Sequence, residues 1–425
     1  MFRFDALNVD GVREIKSGIA QLLDDKYADV FPADGNSKIL IKPNLNSNMN
    51  ALTGNTTDLR VVAAVIDYLK GRGFKDITIG EGTNSGFYRS NISVIERLKY
   101  DELGLYYGIK VKDFNYSESA PVSFESGVAA GVARECVEAD FIINMPKLKT
   151  HFEAGMTVCL KNLIGCLVGQ ENKKKTHAAL SDNIVNLNLA IKPSLHIVDG
   201  VIAMEGLGPT RGTPLMTGVI FVGDNPFVVD LMCARFASFP YQKIGPLAAA
   251  ARRGILTDEH LSFVKAFPLQ RVHKFKPPTA GPLATFIHSP KRQKYFLAVR
   301  QTRLFNYLCS TEIGGKLLYL TGLRQDVFIK DEMHWEGLAL KKERCTDCGI
   351  CTKYCPTEIE IPQAFDKAAG METQLQQRCI HCLYCFSVCP ESAIEFLGTQ
   401  GFMEEQARQY GQIIKKMVNQ MREQR

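Results

Sequence analysis

The chain has 425 residues, 45% of them hydrophobic and 23% charged, with a net charge of +6. That length fits roughly two to three domains with real cores, and so slight a basic excess without a nucleic-acid motif excludes DNA or RNA as an expected partner. No run of about 18 apolar residues occurs and the N-terminal MFRFDALNVDGVREI has no apolar signal core, so neither a transmembrane span nor export is expected.

Residues 1–240 read as one domain of alternating strands and helices. The expected strands are Lys38–Leu45 (KILIKPNL), Asp76–Gly80, Ile109–Phe114, Asp140–Asn144, Leu195–Asp199 and Gly218–Val222. Each is short, β-branched and almost continuously apolar, as strands buried on both faces of a parallel sheet must be. Helical patterns fall between them at Asp58–Lys70, Asn91–Lys99, Leu180–Ala190 and Pro226–Ala237. The alternation predicts an α/β fold, a mostly parallel sheet with helices on both faces. In such sheets ligands sit beyond the carboxyl ends of the strands, so the residues after each strand are the candidates for chemistry.

Residues 241–335 form a linker or helical segment in which Pro277, Pro278, Pro282 and Pro290 precede Lys291, Arg292, Lys294, Arg300 and Arg303. With apolar residues interleaved, 291–303 reads as a packed linker helix with a solvated basic face, or as a contact for a membrane surface or a partner. Residues 336–398 form a small α+β ferredoxin-like module. Residues 399–425 follow as a C-terminal helix with Ile413, Ile414 and Met417 as its apolar positions.

The module carries eight of the 13 cysteines in two runs, each CxxCxxCxxxCP: Cys345, Cys348, Cys351, Cys355 before Pro356, and Cys379, Cys382, Cys385, Cys389 before Pro390. A 4Fe-4S cubane takes three thiolates from one tight loop and its fourth from the other run, because the chain turns away there into a helix. One cluster is therefore expected on Cys345, Cys348, Cys351 and Cys389, and the other on Cys379, Cys382, Cys385 and Cys355. Zinc is the competing reading of any CxxC pair, but it has no use for the third cysteine and the CP in both halves. Between 341 and 397, eight acids face six Lys and Arg, a net charge near −2 that disfavours the reduced state and points to a low potential. The other five cysteines (Cys136, Cys159, Cys166, Cys233, Cys309) lie among apolar residues. Cys159 and Cys166, seven apart, are expected to share a helix face as buried small hydrophobes. Without an export signal a disulfide framework is not expected, and oxygen-sensitive clusters suggest the reducing cytoplasm of an anaerobe.

The strand ends carry a polar set: Lys42 and Asn44; Glu81; Lys147, Lys149 and His151; Lys161 and Asn162; His177 and Asp182; Asp199, Glu205 and Arg211; and Asp230. Lys42, Lys147, Lys149, Lys161 and Arg211, with Asn44 and Asn162, describe a pocket for an anionic small-molecule substrate. GLGPTRG reads as a backbone nest. His151 and His177 are candidate proton donors, with Asp182 or Asp199 as orienting partner. A metal on His151, Glu153, His177 and Asp182 matches no standard spacing. His196 is expected to pack inside its strand, and Asp199 and Asp230 also read as caps of turns or helices.

The IKPN strand end, NMPKLKTH, LKNLIG, IVDGVIAMEGLGPTRG and DNPFVVDLMCAR, in that order over roughly residues 38–240, resemble the domain of unknown function 362 family. The resemblance implies the α/β fold and these site positions, and many members of that family carry a C-terminal two-cluster ferredoxin module. The combined expectation is an iron–sulfur oxidoreductase: a soluble ferredoxin or other low-potential donor supplies electrons, two 4Fe-4S clusters pass them on, and an anionic substrate in the cleft receives them. The alternative is a non-enzymatic electron-transfer subunit or maturation factor, docked to a partner protein through 291–303.

Overall fold

The computed structural model describes residues 2–278, 329–365 and 377–423, with isolated positions at 302, 307, 311, 314 and 375. The basic residues expected to make a surface contact in 291–303, and Cys309, lie outside the described residues.

Strands β1 (Phe4–Asn8), β2 (Lys38–Pro43), β3 (Asp76–Glu81) and β4 (Lys110–Asp113) precede a small hairpin of β5 (Ser119–Ser123) and β6 (Ala129–Ala133). Then come β7 (Phe141–Met145), β8 (Lys147–His151), β9 (Gly155–Thr157), β10 (Leu195–Glu205) and β11 (Thr213–Gly223). One sheet runs β1-β11-β10-β7-β2-β3-β4, with β8 paired to β10 and β9 to β8. From β10 through β4 the neighbours are parallel, with registers such as Ile39↔Phe141 and Thr78↔Lys110. Antiparallel β11 and β1 close one margin.

Alternation of side chains along each strand divides the core between the two faces. Ile39, Ile41, Ile77, Ile79, Ile143 and Ile197 pack on one side, against the helices Val12–Lys26 and Leu59–Gly71. Leu40 and Ile142 face the opposite way, as do Val198 and Phe221 beneath the helix Pro226–Phe236. Helix starts follow local chemistry. Asp58 Oδ1 accepts Arg60 N (2.9 Å), and Asn225 Oδ1 accepts Phe227 N and Val228 N just before Pro226, whose missing N–H costs nothing in a first turn.

Three expectations need correction. The helix expected at Asn91–Lys99 is only Val94–Arg97; Lys99 takes a left-handed conformation (φ 64°), and a separate, unexpected helix, Tyr100–Tyr107, follows. Strand β10 continues past Asp199 to Glu205, because its second half forms an antiparallel ladder with β11 (Glu205↔Thr213). Cys159 and Cys166 do not share a face: the chain tightens into a 3-10 turn at Leu163–Cys166, placing Cys159 in one core cluster and Cys166 in another. Both are buried, as are Cys136 and Cys233.

The C-terminal module is built on the antiparallel pair β12 (His334–Leu340) and β13 (Ile394–Thr399) with short helices beside it. It does not stand apart. Ile350, Tyr354, Ile380, Tyr384 and Val388 enter the same core as Ile15, Val62 and Ile66, and Lys16 bridges to Glu358 (2.6 Å). The last helix, Met403–Glu423, packs Tyr410, Ile414, Met417 and Val418 onto that core and leaves Ile413 half exposed. Its Tyr410 Oη donates to the carbonyls of Thr210 (3.0 Å) and Gly212 (3.2 Å), and its Gln406 Oε1 accepts Asn50 N (2.8 Å).

Candidate functional site

Strand order reverses direction between β2 and β7: from β2 the chain builds outward through β3 and β4, while β7 leads the other way to β10. In open sheets the carboxyl ends of such a pair border a crevice, and Lys42, Asn44, Glu81 and Asn162 of the predicted polar set meet there. At its floor Lys42 and Glu81 form a fully buried ion pair (2.9 Å), and Glu81 Oε2 also accepts Leu45 N (2.9 Å). Gly165 of LKNLIG is required for this closeness, since an added Cβ would overlap Glu81 Oε1 and come within 2.8 Å of Lys42 Nζ. Three asparagines from three elements join side by side: Asn44 Nδ2 donates to Asn162 Oδ1, and Asn162 Nδ2 to Asn144 Oδ1, both at 2.8 Å.

A second buried network runs from the crevice toward the cysteine module. Lys147 Nζ donates to Asp199 Oδ2 (2.8 Å), which also accepts Asp58 N (2.7 Å); Asp58 in turn pairs with Arg60 (2.6 Å). All four side chains are sealed from solvent. The Arg60 guanidinium stacks over Tyr354, 4.1 Å from the ring centroid, next to Cys355. Burial pushes Asp199 up from the usual carboxylate range. Burial acts on Asp58 too, but Arg60 and Lys147 outweigh it and hold Asp58 low.

These networks alter the expected substrate-binding set. Lys42 and Lys147 are neutralised by Glu81 and Asp199. Asn162 spends its amide on Asn44, Asn144 and the Lys42 and Pro43 carbonyls, and Asn44 donates to Asn162 while its buried Oδ1 has no partner among the described residues. All four build the walls. Lys149 reaches Asn46 Oδ1 and the Asn55 carbonyl (2.6 Å). Lys161 differs: its Nζ has neither a hydrogen bond nor an ion pair among the described residues, and burial lowers its pKa to about 8 although Glu153 opposes the shift. His151 Nδ1 accepts Glu153 N (3.1 Å) and Ala154 N (3.3 Å), which leaves the ring proton on Nε2. Burial holds His151 well below the usual imidazole range, with repulsion from Lys161, Lys149 and His177 added. Lys149, His151, Lys161 and His177 therefore form one electrostatic group at the crevice.

Asp182 does not orient a histidine as expected: its carboxylate turns to exposed Arg252 (3.4 Å), because the helix Leu180–Ile191 carries it outward. Asp199 is likewise committed to Lys147. Arg211 lies in the GLGPTRG loop, whose Thr210 carbonyl accepts from Asn55 Nδ2 (3.2 Å), so the loop abuts the segment that holds Lys149. Asp230 is a cap, accepting Cys159 N (2.8 Å) and Leu160 N (3.3 Å), and burial raises its pKa to about 7. Asp58, Arg60, Asn144 and Lys173 escaped sequence reasoning; Lys173 Nζ reaches the Thr83 carbonyl (2.7 Å) and Asn115 Oδ1 (2.6 Å). Arg60 had a signal, a lone charge inside the apolar helix LRVVAAVI. Lys173, in the run KKK, had none.

His196 is packed in β10 as expected, with Nδ1 accepting from Asn144 Nδ2 (3.2 Å), and burial lowers its pKa to about 3. The folded pKa lies below the unfolded 6.5, so its contribution is complete above pH 6.5 and is lost as pH falls toward 3. From about pH 6.5 downward the wild type should lose stability with a slope that approaches about 1.4 kcal/mol per unit below about pH 5.5 through this ring alone. Denaturant unfolding of His196→Asn, which keeps an acceptor for Asn144, should show a correspondingly flatter acid limb.

In the C-terminal module the cysteines line two small cavities. Cys345, Cys348, Cys351 and Cys389 line the first; Cys355, Cys379, Cys382 and Cys385 line the second.

Residues 39–235 match the model of the domain of unknown function (DUF362), and residues 344–394 that of a 4Fe-4S dicluster domain. A thylakoid-associated protein of Synechocystis sp., sll1697, is 31% identical over 256 residues, 57% of this chain and 75% of that protein. The chain belongs to the DUF362 family. Its DUF362 domain is joined to a dicluster domain that binds two 4Fe-4S clusters, an architecture for iron–sulfur-linked electron transfer. The PorD subunit of pyruvate synthase from Thermotoga maritima is 37% identical over 67 residues, 16% of this chain and 64% of that one. Among solved structures, lactate racemase apoprotein from Thermoanaerobacterium thermosaccharolyticum aligns at TM-score 0.34 and 13% identity, over 47% of this chain and half of that one. No helix among the described residues is long and apolar enough to cross a membrane.

Proposed function

We propose that this DUF362 protein is an iron–sulfur reductase for anionic small molecules, fed by a soluble ferredoxin or another low-potential donor in a reducing, anaerobic cytoplasm. The cluster ligands in this reading are Cys345, Cys348, Cys351 and Cys389 for one site, and Cys379, Cys382, Cys385 and Cys355 for the other. Each set rings a void, as four thiolates around a cubane must, whereas zinc ligands converge on a point. Among the described residues no three His, Cys, Asp or Glu side chains converge in that way. When bound, the clusters supply one-electron transfer.

The observation that carries the substrate reading is Lys161, a lysine with no hydrogen bond or ion pair among the described residues and a pKa lowered to about 8. A carboxylate or phosphate would supply the missing acceptor, with Lys149 and Arg211 adding positive potential. A lysine titrating near neutrality also serves as a proton donor, and neutral His151 presents an Nε2 proton beside it. Together they would hold the anion and protonate the product of reduction.

The test is anaerobic purification followed by EPR of the reduced protein with metabolite fractions added. An anionic metabolite should reoxidise the clusters. Lys161→Met should leave iron content and spectra intact while weakening that metabolite's Kd roughly 10- to 100-fold, the scale of one hydrogen bond to a charged group. The carrier or maturation reading draws on the likeness of the cluster module to a pyruvate synthase subunit. It gains if no metabolite reoxidises the clusters and Lys161→Met changes nothing.

A further inference from the structure

The two halves of the cysteine module are near copies, and the differences between them bear on electron flow. In each half a backbone N–H four residues past the final cysteine of the run donates to that sulfur: Ile359 N to Cys355 Sγ (3.4 Å) and Ala393 N to Cys389 Sγ (3.2 Å). Cys355 has a further polar neighbour, Thr357 Oγ1, at 3.4 Å. Thr357 is 1% exposed, and its carbonyl accepts from the Arg378 guanidinium, which fixes the backbone there. The matching position in the other half, two residues past Cys389, is Glu391, which lines that half's cavity.

The cavities also differ in place. The one containing Cys355 is lined by Ile380 and Tyr384, members of the core shared with the DUF362 domain, and Tyr384 Oη accepts Leu59 N (3.4 Å). The other also touches that core, through Ile350, but none of its four cysteines is buried, whereas Cys355 and Cys385 of the former are. One site is thus inner and the other outer.

We propose that the Thr357 hydroxyl orders the two redox sites, donating to the Cys355 sulfur and raising the inner site's potential above the outer one's. The inference rests on the ligand sets proposed above. A thiolate bound to iron has no proton, so the hydroxyl is the donor. Its donation withdraws charge from sulfur and favours the reduced state, which carries one more negative charge. The Glu391 carboxylate acts oppositely on the outer site. Burial disfavours the extra charge at the inner site, but the same burial strengthens a hydrogen bond that no water competes for. The result is an inward passage of one electron, oxidising the outer site and reducing the inner, with no bond made or broken.

EPR-monitored redox titration of the full-length, cluster-loaded protein tests this. Thr357→Val should lower one of the two potentials alone, so that the reduced-to-oxidised ratio at a fixed potential falls roughly tenfold, about 59 mV for one electron. Thr357→Ser, which keeps the hydroxyl, should match wild type, and Glu391→Gln should raise the other potential only. Unmoved potentials in Thr357→Val, equal shifts of both, or action of the Thr357 and Glu391 variants on the same one would overturn the proposal. If those results come from a protein holding about eight irons, the ligand sets survive; zinc, or half the iron in the unmutated protein, would overturn the ligand sets themselves.

Discussion

Lys147→Met should cost about 3–5 kcal/mol of stability in anaerobic denaturant unfolding, the range for breaking a buried ion pair by removing one partner. The cost arises because Asp199 is left as a sealed carboxylate next to Asp58, with Arg60 already committed to Asp58. Asp199 then takes up a proton more readily, so the penalty should shrink on acidification and grow as pH rises. The double variant Lys147→Met, Asp199→Asn removes the orphaned charge but keeps only one of the two oxygens that accept Asp58 N and Val201 N, so it should recover part of the loss. A loss below about 1 kcal/mol in the single variant would mean that water reaches the pair.

Cys355→Ala should remove the same cluster as Cys382→Ala, although Cys355 belongs by sequence to the other run. Iron should fall to roughly half of about eight atoms in either variant. The double variant should lose no more than either single one, whereas Cys355→Ala combined with Cys351→Ala should abolish both clusters. If Cys355→Ala instead behaves as Cys351→Ala does, the ligands are not exchanged between runs. Iron and sulfide analysis with EPR decides it. Because Cys355 and Cys385 of this site are buried and none of the other site's cysteines is, its loss should also lower stability more than loss of the other cluster.

The parallel strands were legible because Ile39–Ile41 and Phe141–Ile143 are apolar on consecutive residues, a pattern that strands buried on both faces require. Strand β8 was not, because KLKTH reads as a polar loop; its lysines are buried only by virtue of Asp199, Asn46 and Asn55, which come from distant segments. The same reason separates the wall residues from Lys161, which has no hydrogen bond or ion pair among the described residues. Sequence position puts Lys42, Lys147 and Lys161 alike at strand ends, yet only tertiary placement of Glu81 and Asp199 neutralises the first two. Asp182 failed for a helical reason: its place on the helix Leu180–Ile191 directs it to Arg252. Arg60 was visible as an oddity in an apolar helix, but its use depends on a tyrosine almost 300 residues away in sequence.

The return of the final helix to Thr210, Gly212 and Asn50 closes the chain into a clasp: the segment beyond the cysteine module fastens two of the loops that border the crevice. Iron occupancy and loop order are then thermodynamically linked. Any free energy by which metal holds the module folded also holds these loops in place, and an apoprotein would present a looser pocket than a loaded one. Under the proposed reductase reading, cluster assembly would thereby also tighten the loops around the anion it reduces.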